Sequence, residues 1–226
     1  AEVGHAQMDQ TLEAFRSGLV FLGGRSAYTL GGYDNSVLEA MLPVRMQPPE
    51  RQKRAPVTFV LMIDVSASMG YTTQPDQPRP IDLAREAAMR VIESMQPDDT
   101  LGIASYSDEV SWDVPLSPVG EGLNLRLAID TASRLTPLFG TQMYRSLVSV
   151  VKSLGPAQGE EKRYLLLLSD GKSADGSLAE FSAFARLAAE NGLTISTIAL
   201  GLEPDYEVMA AIAEAGRGRY YPVPDA

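Results

Sequence analysis

Cysteine is absent from this chain of 226 residues, and histidine occurs once, at His5. Without cysteine, thiol catalysis, disulfide bonds and zinc–thiolate sites are all excluded. A single histidine also argues against a zinc site and against a histidine general base. The sequence contains no stretch of about 20 apolar residues, the length that a membrane-spanning helix needs. These absences remove several common catalytic and membrane-spanning arrangements from consideration.

Positive charge is scarce, because 19 basic residues stand against 29 acidic ones and leave a formal net charge of −10. Nucleic acids and anionic membranes attract basic surfaces, so we expect no nucleic-acid partner and no membrane contact by this chain itself. The acidic balance is compatible with cation binding. With 45% hydrophobic and 21% charged residues, the composition is that of a globular protein with room for one α/β domain and an appendage.

The sequence after residue 56 alternates apolar strand-like runs with helical patterns of apolar residues. This alternation predicts a doubly wound α/β fold, in which a mostly parallel central sheet is flanked by helices. Val110–Leu116 is a short alternating segment with prolines nearby, and we predict that it forms an antiparallel edge strand. The other predicted strands are 57–63, 100–106, 164–168, 193–200 and 219–223, and the predicted helices are 81–95, 121–135, 143–154, 177–191 and 205–215.

Phe59–Gly70 reads FVLMIDVSASMG, an apolar run that ends in an acidic residue followed by two hydroxyls at alternate positions. The run is typical of a strand buried on both faces, as in a parallel sheet. Asp64 then lies at the carboxyl end of the strand, where open α/β sheets bind their ligands. Together with Ser66 and Ser68 it offers one carboxylate and two hydroxyl oxygens within five residues, a ligand set of the kind that Mg²⁺ prefers.

Two further loops are predicted to reach the same edge of the sheet. One carries Thr141, in TPLFGTQ, and the other carries Asp170, in a Ser-Asp-Gly sequence that follows an apolar strand. Two carboxylates drawn together at this edge repel each other unless a cation lies between them. The alternative is that Asp64 and Asp170 end their strands and cap neighbouring helices without any metal.

Three segments, DVSASMG, FGTQMYRSL and LLSDG, resemble in order and spacing the metal-ion-dependent adhesion site of the von Willebrand factor A domain family. The resemblance extends from about Pro56 to the C-terminus and implies the Rossmann-like fold of that family. It also implies a protein-binding, non-enzymatic function, in which an open coordination position of the metal accepts an Asp or Glu side chain of a partner protein. The ligand set that it implies is Asp64, Ser66, Ser68, Thr141 and Asp170, with the hydroxyls bound directly and the aspartates bound directly or through water.

The metal implied by the resemblance is Mg²⁺, or else Mn²⁺ or Ca²⁺. One position departs from the pattern of the family, because Gln142 follows Thr141 where an aspartate or asparagine is common. That residue is not expected to be a metal ligand. The departure therefore concerns the geometry of the loop and the choice of partner more than metal binding.

Residues 1–42 differ from the rest of the chain, and the proline-rich residues 43–56 are predicted to link them to the domain at 57–226. The stretch GLVFLGGRSAYTLGGYDNSVLEAMLPV resembles part of the glutamine amidotransferase-like domain of bacterial membrane proteins that carry an inserted A domain. The absence of cysteine excludes an amidotransferase nucleophile in this chain. This resemblance implies that the chain is the soluble region of a membrane-anchored bacterial protein, on a side of the membrane that the sequence leaves open.

Two alternative functions remain open. A Mg²⁺-dependent phosphotransferase or phosphatase of α/β fold also places an aspartate at the end of its first strand. The haloacid-dehalogenase type needs a second acid two residues later, where this chain has Ser66, and neither a P-loop nor a Gly-x-Ser-x-Gly turn occurs. The other alternative is a metal-free scaffold of the same fold.

Overall fold

The computed structural model describes residues 55–72, 77–120, 123–155, 162–201 and 204–223. Residues 55–226 separate from the preceding segment as a unit of their own. The predicted appendage at 1–42, its resemblance to an amidotransferase-like domain and nearly all of the predicted linker at 43–56 lie outside the described residues. Those assignments, and the domain boundary at residue 57, stay predictions.

The described residues form a six-stranded sheet, in the order β3-β2-β1-β4-β5-β6. Neighbouring strands are parallel except for β2 and β3, which pair antiparallel at one edge. The predicted doubly wound sheet with one antiparallel edge strand is therefore confirmed. The strands are β1 Val57–Asp64, β2 Thr100–Tyr106, β3 Val110–Pro118, β4 Lys162–Ser169, β5 Leu193–Ala199 and β6 Arg217–Pro222.

Helices cover both faces of this sheet and follow the predicted positions closely. Their bounds are α1 Pro80–Ser94, α2 Leu123–Arg134, α3 Met143–Ser153, α4 Leu178–Glu190 and α5 Tyr206–Ala215. One core cluster contains residues of α1 and α2, and the other contains residues of α3, α4 and α5. No helix within the described residues combines the length and the apolar character needed to cross a bilayer.

Strand β1 is apolar at nearly every position because both of its faces are covered. Leu61 and Ile63 belong to the core cluster on the α1 side, whereas Val60 and Met62 belong to the cluster on the α3 side. Side chains alternate between the two faces of a strand, so each face receives every second residue. The uninterrupted apolar run thus places β1 at the centre of the sheet, between β2 and β4.

The centre of the sheet is also where the order of the strands reverses along the chain. From β1 the chain proceeds to β2 and β3 on one side, and it then returns to β4 on the other side. The loops that leave β1 and β4 diverge at such a point and leave a crevice at the carboxyl ends of the strands, which is the usual ligand position in open α/β sheets. Asp64 and Asp170 come from these two strand ends.

Candidate metal centre

Asp64 is the last residue of β1, and its side chain is fully buried. Its Oδ1 atom accepts the backbone N–H of Ser66 at 2.7 Å. Its Oδ2 atom accepts the hydroxyl of Ser169 at 2.6 Å and the hydroxyl of Tyr106 at 2.9 Å. Three donors from three different strand ends or loops therefore fix the orientation of this carboxylate.

The surroundings of Asp64 orient its charge without neutralising it. Burial raises the pKa of Asp64 to about 6, and the charge of Asp170 adds to the rise, although hydrogen bonds from Ser169 and Ser66 oppose it. Among the residues that the structure describes, neither Asp64 nor Asp170 forms an ion pair with a basic side chain. Because an ionised carboxylate away from water is costly unless it is paired, this position favours a nearby cation.

Tyr106 is a fully buried donor to that carboxylate. Burial raises its pKa well above the ordinary tyrosine value, and the charge of Asp64 raises it further. The phenol therefore stays protonated and keeps its hydrogen for Asp64. The parallel register of β1 and β2 pairs Tyr106 directly with Asp64, which is why these two strand ends meet.

Ser66 and Ser68 form a pair of hydroxyls immediately after β1. Their Oγ atoms lie 3.0 Å apart, with Ser66 buried and Ser68 half-buried. A short 3₁₀ helix, Ala67–Gly70, turns the backbone here, and the N–H of Met69 donates to the carbonyl of Ser66. The turn brings two neutral oxygens with free lone pairs to one place, as a hard cation requires.

Thr141 lies in the loop before α3 and is attached to the loop that follows β4. Its hydroxyl donates to the carbonyl oxygen of Lys172 at 2.8 Å, and its own carbonyl accepts the N–H of Ala174 at 2.8 Å. Because the hydroxyl proton is directed at Lys172, the lone pairs of Oγ1 remain available to another ligand.

Asp170 follows β4 directly and is 4% exposed. Its Oδ1 atom accepts the N–H of Lys172 at 3.0 Å, and its carbonyl accepts the N–H of Asp205 at 2.7 Å. Gly171 adopts a φ of 75°, and a Cβ atom at this position would lie 2.7 Å from the carbonyl oxygen of Asp205. Only glycine fits here without strain, so the start of α5 holds the loop of Asp170 in place.

Contacts between loops bring the five predicted residues to the same edge of the sheet. The N–H of Leu138 donates to the carbonyl of Val65, and Pro137 packs against Gly70. The described residues contain no group of three or more acidic, histidine or cysteine side chains that could hold a metal by themselves. A metal at this edge would depend on hydroxyl oxygens, and the assignment of the five residues as ligands stays a prediction.

Three residues that support the site have no recognisable pattern in the sequence: Tyr106, Ser169 and Ser173. Tyr106 reads as one more apolar residue of its strand, and Ser169 reads as part of a motif without a role of its own. Ser173 donates to Asp175 at 2.8 Å and accepts the N–H of Met143 at 3.2 Å. The signal that identifies Tyr106 is the cross-strand register, which the sequence does not display.

Asp175 caps the first turn of α3 from a distant loop. Its two carboxylate oxygens accept the N–H groups of Tyr144 and Arg145, each at 3.0 Å. Gln142 occupies the N-cap position of α3 but makes no capping hydrogen bond with its side chain, and its Oε1 atom is buried without a partner among the described residues. The carboxylate at the start of this helix therefore comes from Asp175, five residues after Asp170 in the loop that follows β4.

The family model of the von Willebrand factor type A domain matches residues 59–226 of this chain. One relative by sequence, the UPF0353 protein of Nocardia farcinica, is 30% identical over 175 residues, which cover 71% of this chain and 49% of that protein. The uncharacterized protein sll0103 of Synechocystis sp. is 22% identical over 187 residues, which cover 83% of this chain and 42% of that protein. The chain thus spans about half the length of these relatives.

Solved structures share the fold at low sequence identity. An aerotolerance-related membrane protein from Bacteroides fragilis, carrying multiple mutations to serine, superimposes with a TM-score of 0.63 at 18% identity and covers 74% of this chain and 91% of its own. The manganese-loaded TRAP protein of Plasmodium vivax superimposes with a TM-score of 0.56 at 19% identity and covers 75% of this chain and 68% of its own. At these identities the likeness concerns the fold alone.

Proposed function

The chain belongs to the von Willebrand factor type A domain family, and on that premise we propose that it is a divalent-metal-dependent protein-binding domain. A metal held at the carboxyl edge of the sheet would join this chain to an Asp or Glu side chain of a partner protein. The observation that carries the proposal is the buried Asp64 carboxylate, which has no basic partner among the described residues and lies beside two converging hydroxyls.

The side chains present fit a hard divalent cation. The hydroxyls of Ser66, Ser68 and Thr141 would bind it directly, and Asp170 and Asp64 would hold it directly or through water. Mg²⁺ accepts oxygen ligands, commonly with one or two carboxylates and retained waters, and this site offers two carboxylates. Mn²⁺ and Ca²⁺ have the same preference for oxygen, and the manganese-loaded TRAP protein supports a divalent metal in this fold.

The low formal charge of this ligand set matters for binding a partner. Three of the five proposed ligands are neutral hydroxyls, so the two carboxylates supply all of the negative charge. When bound, the metal would supply an electrophilic position for the carboxylate of a partner. Tyr106 and Ser169 orient Asp64, and Lys172 and Ala174 hold the loop of Thr141 against the loop of Asp170.

Titration calorimetry with Mg²⁺ and Mn²⁺ tests the metal site directly. We expect saturable binding to the full chain and loss of binding in Asp64→Ala. The matched control is Asp130→Asn, which changes an exposed aspartate on α2 that pairs with Arg134. Equal heats from the wild type and Asp64→Ala would overturn the proposal and leave the metal-free scaffold as the better description.

We further propose that the domain is not an enzyme. A phosphotransferase needs its first aspartate as an accessible nucleophile, whereas Asp64 is fully buried and both of its oxygens already accept hydrogen bonds. A phosphatase assay with a phosphate monoester in Mg²⁺ checks this assignment. Steady turnover that depends on Mg²⁺ and disappears in Asp64→Asn would overturn it.

A location at the membrane is also proposed for the protein that contains this domain. We propose that the chain is part of a membrane-anchored bacterial protein, because it spans about half of its relatives and one structural neighbour is described as a membrane protein. Fractionation of cells that express the full-length gene product measures whether that product is bound to the membrane. Recovery of that product entirely in the fraction free of membranes would contradict the proposal.

A further inference from the structure

Three large apolar side chains are exposed beside the candidate metal ligands. The exposed fractions are 69% for Tyr71, 54% for Leu138 and 87% for Phe139. Tyr71 follows Ser68 by three residues, and Phe139 precedes Thr141 by two. We call these three side chains the apolar rim. Clusters of exposed apolar residues are uncommon on soluble proteins and mark surfaces that bind another molecule.

The apolar rim arises from two loops that are in contact with each other. Tyr71 is tied to the first loop, because its N–H donates to the carbonyl of Ser68 at 3.3 Å. Leu138 is tied to the same loop through its N–H, which donates to the carbonyl of Val65. A Cβ atom at Gly70 would lie 2.9 Å from Pro137, so the two backbones are closely packed. The two loops that carry these exposed side chains are therefore adjacent.

Phe139 is exposed because of the turn that follows it. Gly140 adopts a φ of 98°, and a Cβ atom there would lie 2.2 Å from the carboxylate of Asp108. Such a turn requires glycine, and it separates the exposed Phe139 from the half-buried Thr141. Neither core cluster of the described residues includes Tyr71, Leu138 or Phe139. Packing among the described residues thus does not explain why these three side chains are apolar.

Positive charge adjoins the same site. Lys172 is exposed, its carbonyl accepts the hydroxyl of Thr141, and its N–H donates to Asp170. Within the described part of the chain, Lys172 forms no ion pair. An exposed, unpaired lysine at the candidate site of a chain with a net charge of −10 favours an acidic group approaching from solvent.

We propose that the site recognises a partner segment in which an Asp or Glu is followed or preceded by an aromatic or large aliphatic residue. This inference rests on the proposed function, because the carboxylate of the partner would bind at the metal site. The neighbouring apolar side chain of the partner packs on the apolar rim, chiefly on Phe139 and Tyr71. A few residues, often aromatic, carry much of the binding energy at protein interfaces, and such a contact would distinguish one acidic segment from another.

Selection from a phage library of random linear peptides, panned against the full chain in Mg²⁺, tests the proposal. We expect selected peptides to carry an acidic residue next to a Phe, Trp, Tyr or Leu, and we expect this enrichment to disappear in EDTA. For Phe139→Gln, a synthetic peptide from the selection should bind on the order of tenfold more weakly, while the calorimetric affinity for Mg²⁺ stays unchanged. The matched control is Leu187→Gln, which changes a leucine on α4 that is 55% exposed.

The outcomes separate the inference from the function on which it rests. Enrichment of acidic residues without an apolar neighbour, or peptide binding that Phe139→Gln leaves unchanged, overturns the role of the apolar rim and leaves the proposed function standing. Absence of any Mg²⁺-dependent acidic enrichment overturns both. Self-association that appears in sedimentation and is abolished by Phe139→Gln assigns the apolar rim to a second copy of this chain, and it overturns the inference.

Discussion

At Asp64, a carboxylate is held inside the protein by three donors that, among the described residues, are all neutral. The backbone N–H of Ser66 and the hydroxyls of Tyr106 and Ser169 orient the group, but they carry no positive charge. The charge of Asp170 adds to the cost of ionising Asp64. These hydrogen bonds therefore fix the position of the carboxylate but do not balance its negative charge. A bound cation would supply that balance.

We expect Asp64→Asn to stabilise the metal-free protein at pH 7.5 and to remove its response to Mg²⁺. The folded-state pKa of about 6 exceeds the ordinary value of 3.8. That difference corresponds to a loss of stability on the order of 3 kcal/mol when the group is ionised. Urea unfolding in EDTA measures the gain, and a variant less stable than the wild type under these conditions would contradict the uncompensated charge at Asp64.

In the metal-free protein, the contribution of Asp64 to stability should decrease as the pH rises. Because the pKa of Asp64 is higher in the folded state, the folded protein binds the proton more tightly than the unfolded chain does. The contribution of Asp64 to stability should therefore fall as the pH rises from 3.8 to about 6 and fall no further above that range, whereas the lowered pKa values of Asp82 and Glu180 act in the opposite direction. Unfolding curves of the wild type and Asp64→Asn at several pH values isolate this step, and Asp130→Asn should retain it.

Tyr106→Phe tests the buried donor to Asp64. The change removes one hydroxyl and leaves the ring, so we expect the unfolding free energy to fall by about 1 kcal/mol. The affinity for Mg²⁺ should fall severalfold, because the carboxylate loses one of its three orienting contacts. Calorimetry and urea unfolding measure the two effects. Tyr164→Phe, on β4, is the control, and equal loss of Mg²⁺ affinity in both variants would contradict a specific role for Tyr106.

Among the elements, the loop after β4 does the most to assemble the site. It carries Asp170, accepts the hydroxyl of Thr141 at Lys172, and supplies Asp175 to the first turn of α3. At its start, the N–H of Asp205 before α5 donates to the carbonyl of Asp170. One loop thereby fixes the relative positions of two helices and of two predicted ligands.

We expect Asp175→Ala to weaken both stability and metal affinity. The first turn of α3 loses the acceptor of two N–H groups, which costs about 1 kcal/mol as in other N-cap substitutions. The start of α3, which directly follows the loop of Thr141, also loses its link to the loop after β4, so the affinity for Mg²⁺ should fall. The control is Ser177→Ala, which removes the capping box of α4 at a similar cost. If the two variants bound Mg²⁺ equally well, the Asp175 side chain would have no role in holding Thr141.

For the whole molecule, Mg²⁺ should act as a stabilising ligand. We expect the Tm to rise with Mg²⁺ concentration. The free energy of unfolding should increase by about 2.7 kcal/mol when the free metal reaches 100 times its Kd. EDTA should reverse the gain, and Ser66→Ala with Ser68→Ala should abolish it. Thermal unfolding followed by circular dichroism measures the shift. Ser133→Ala, at an exposed position on α2, should respond as the wild type does.

The fold could be predicted from the sequence in more detail than the site could. Apolar runs such as that of β1 reveal strands covered on both faces, and the alternation with helices implies the parallel sheet. The contacts of Tyr106 and Ser169 with Asp64 depend on which strands pair and in what register, and these relations join residues far apart in the chain. The register shifts between β2 and β3 are likewise invisible to local periodicity.

The bond between Ser169 and Asp64 spans 105 residues of sequence, and it has a consequence for the order of folding. A chain synthesised only as far as β4 has the first carboxylate, but it lacks the second carboxylate and has not yet closed the contact at Ser169. Closing so long a loop carries an entropic cost that only the pairing of β1 with β4 repays. The proposed cation site would thus be completed late in a nascent chain, together with the centre of its sheet.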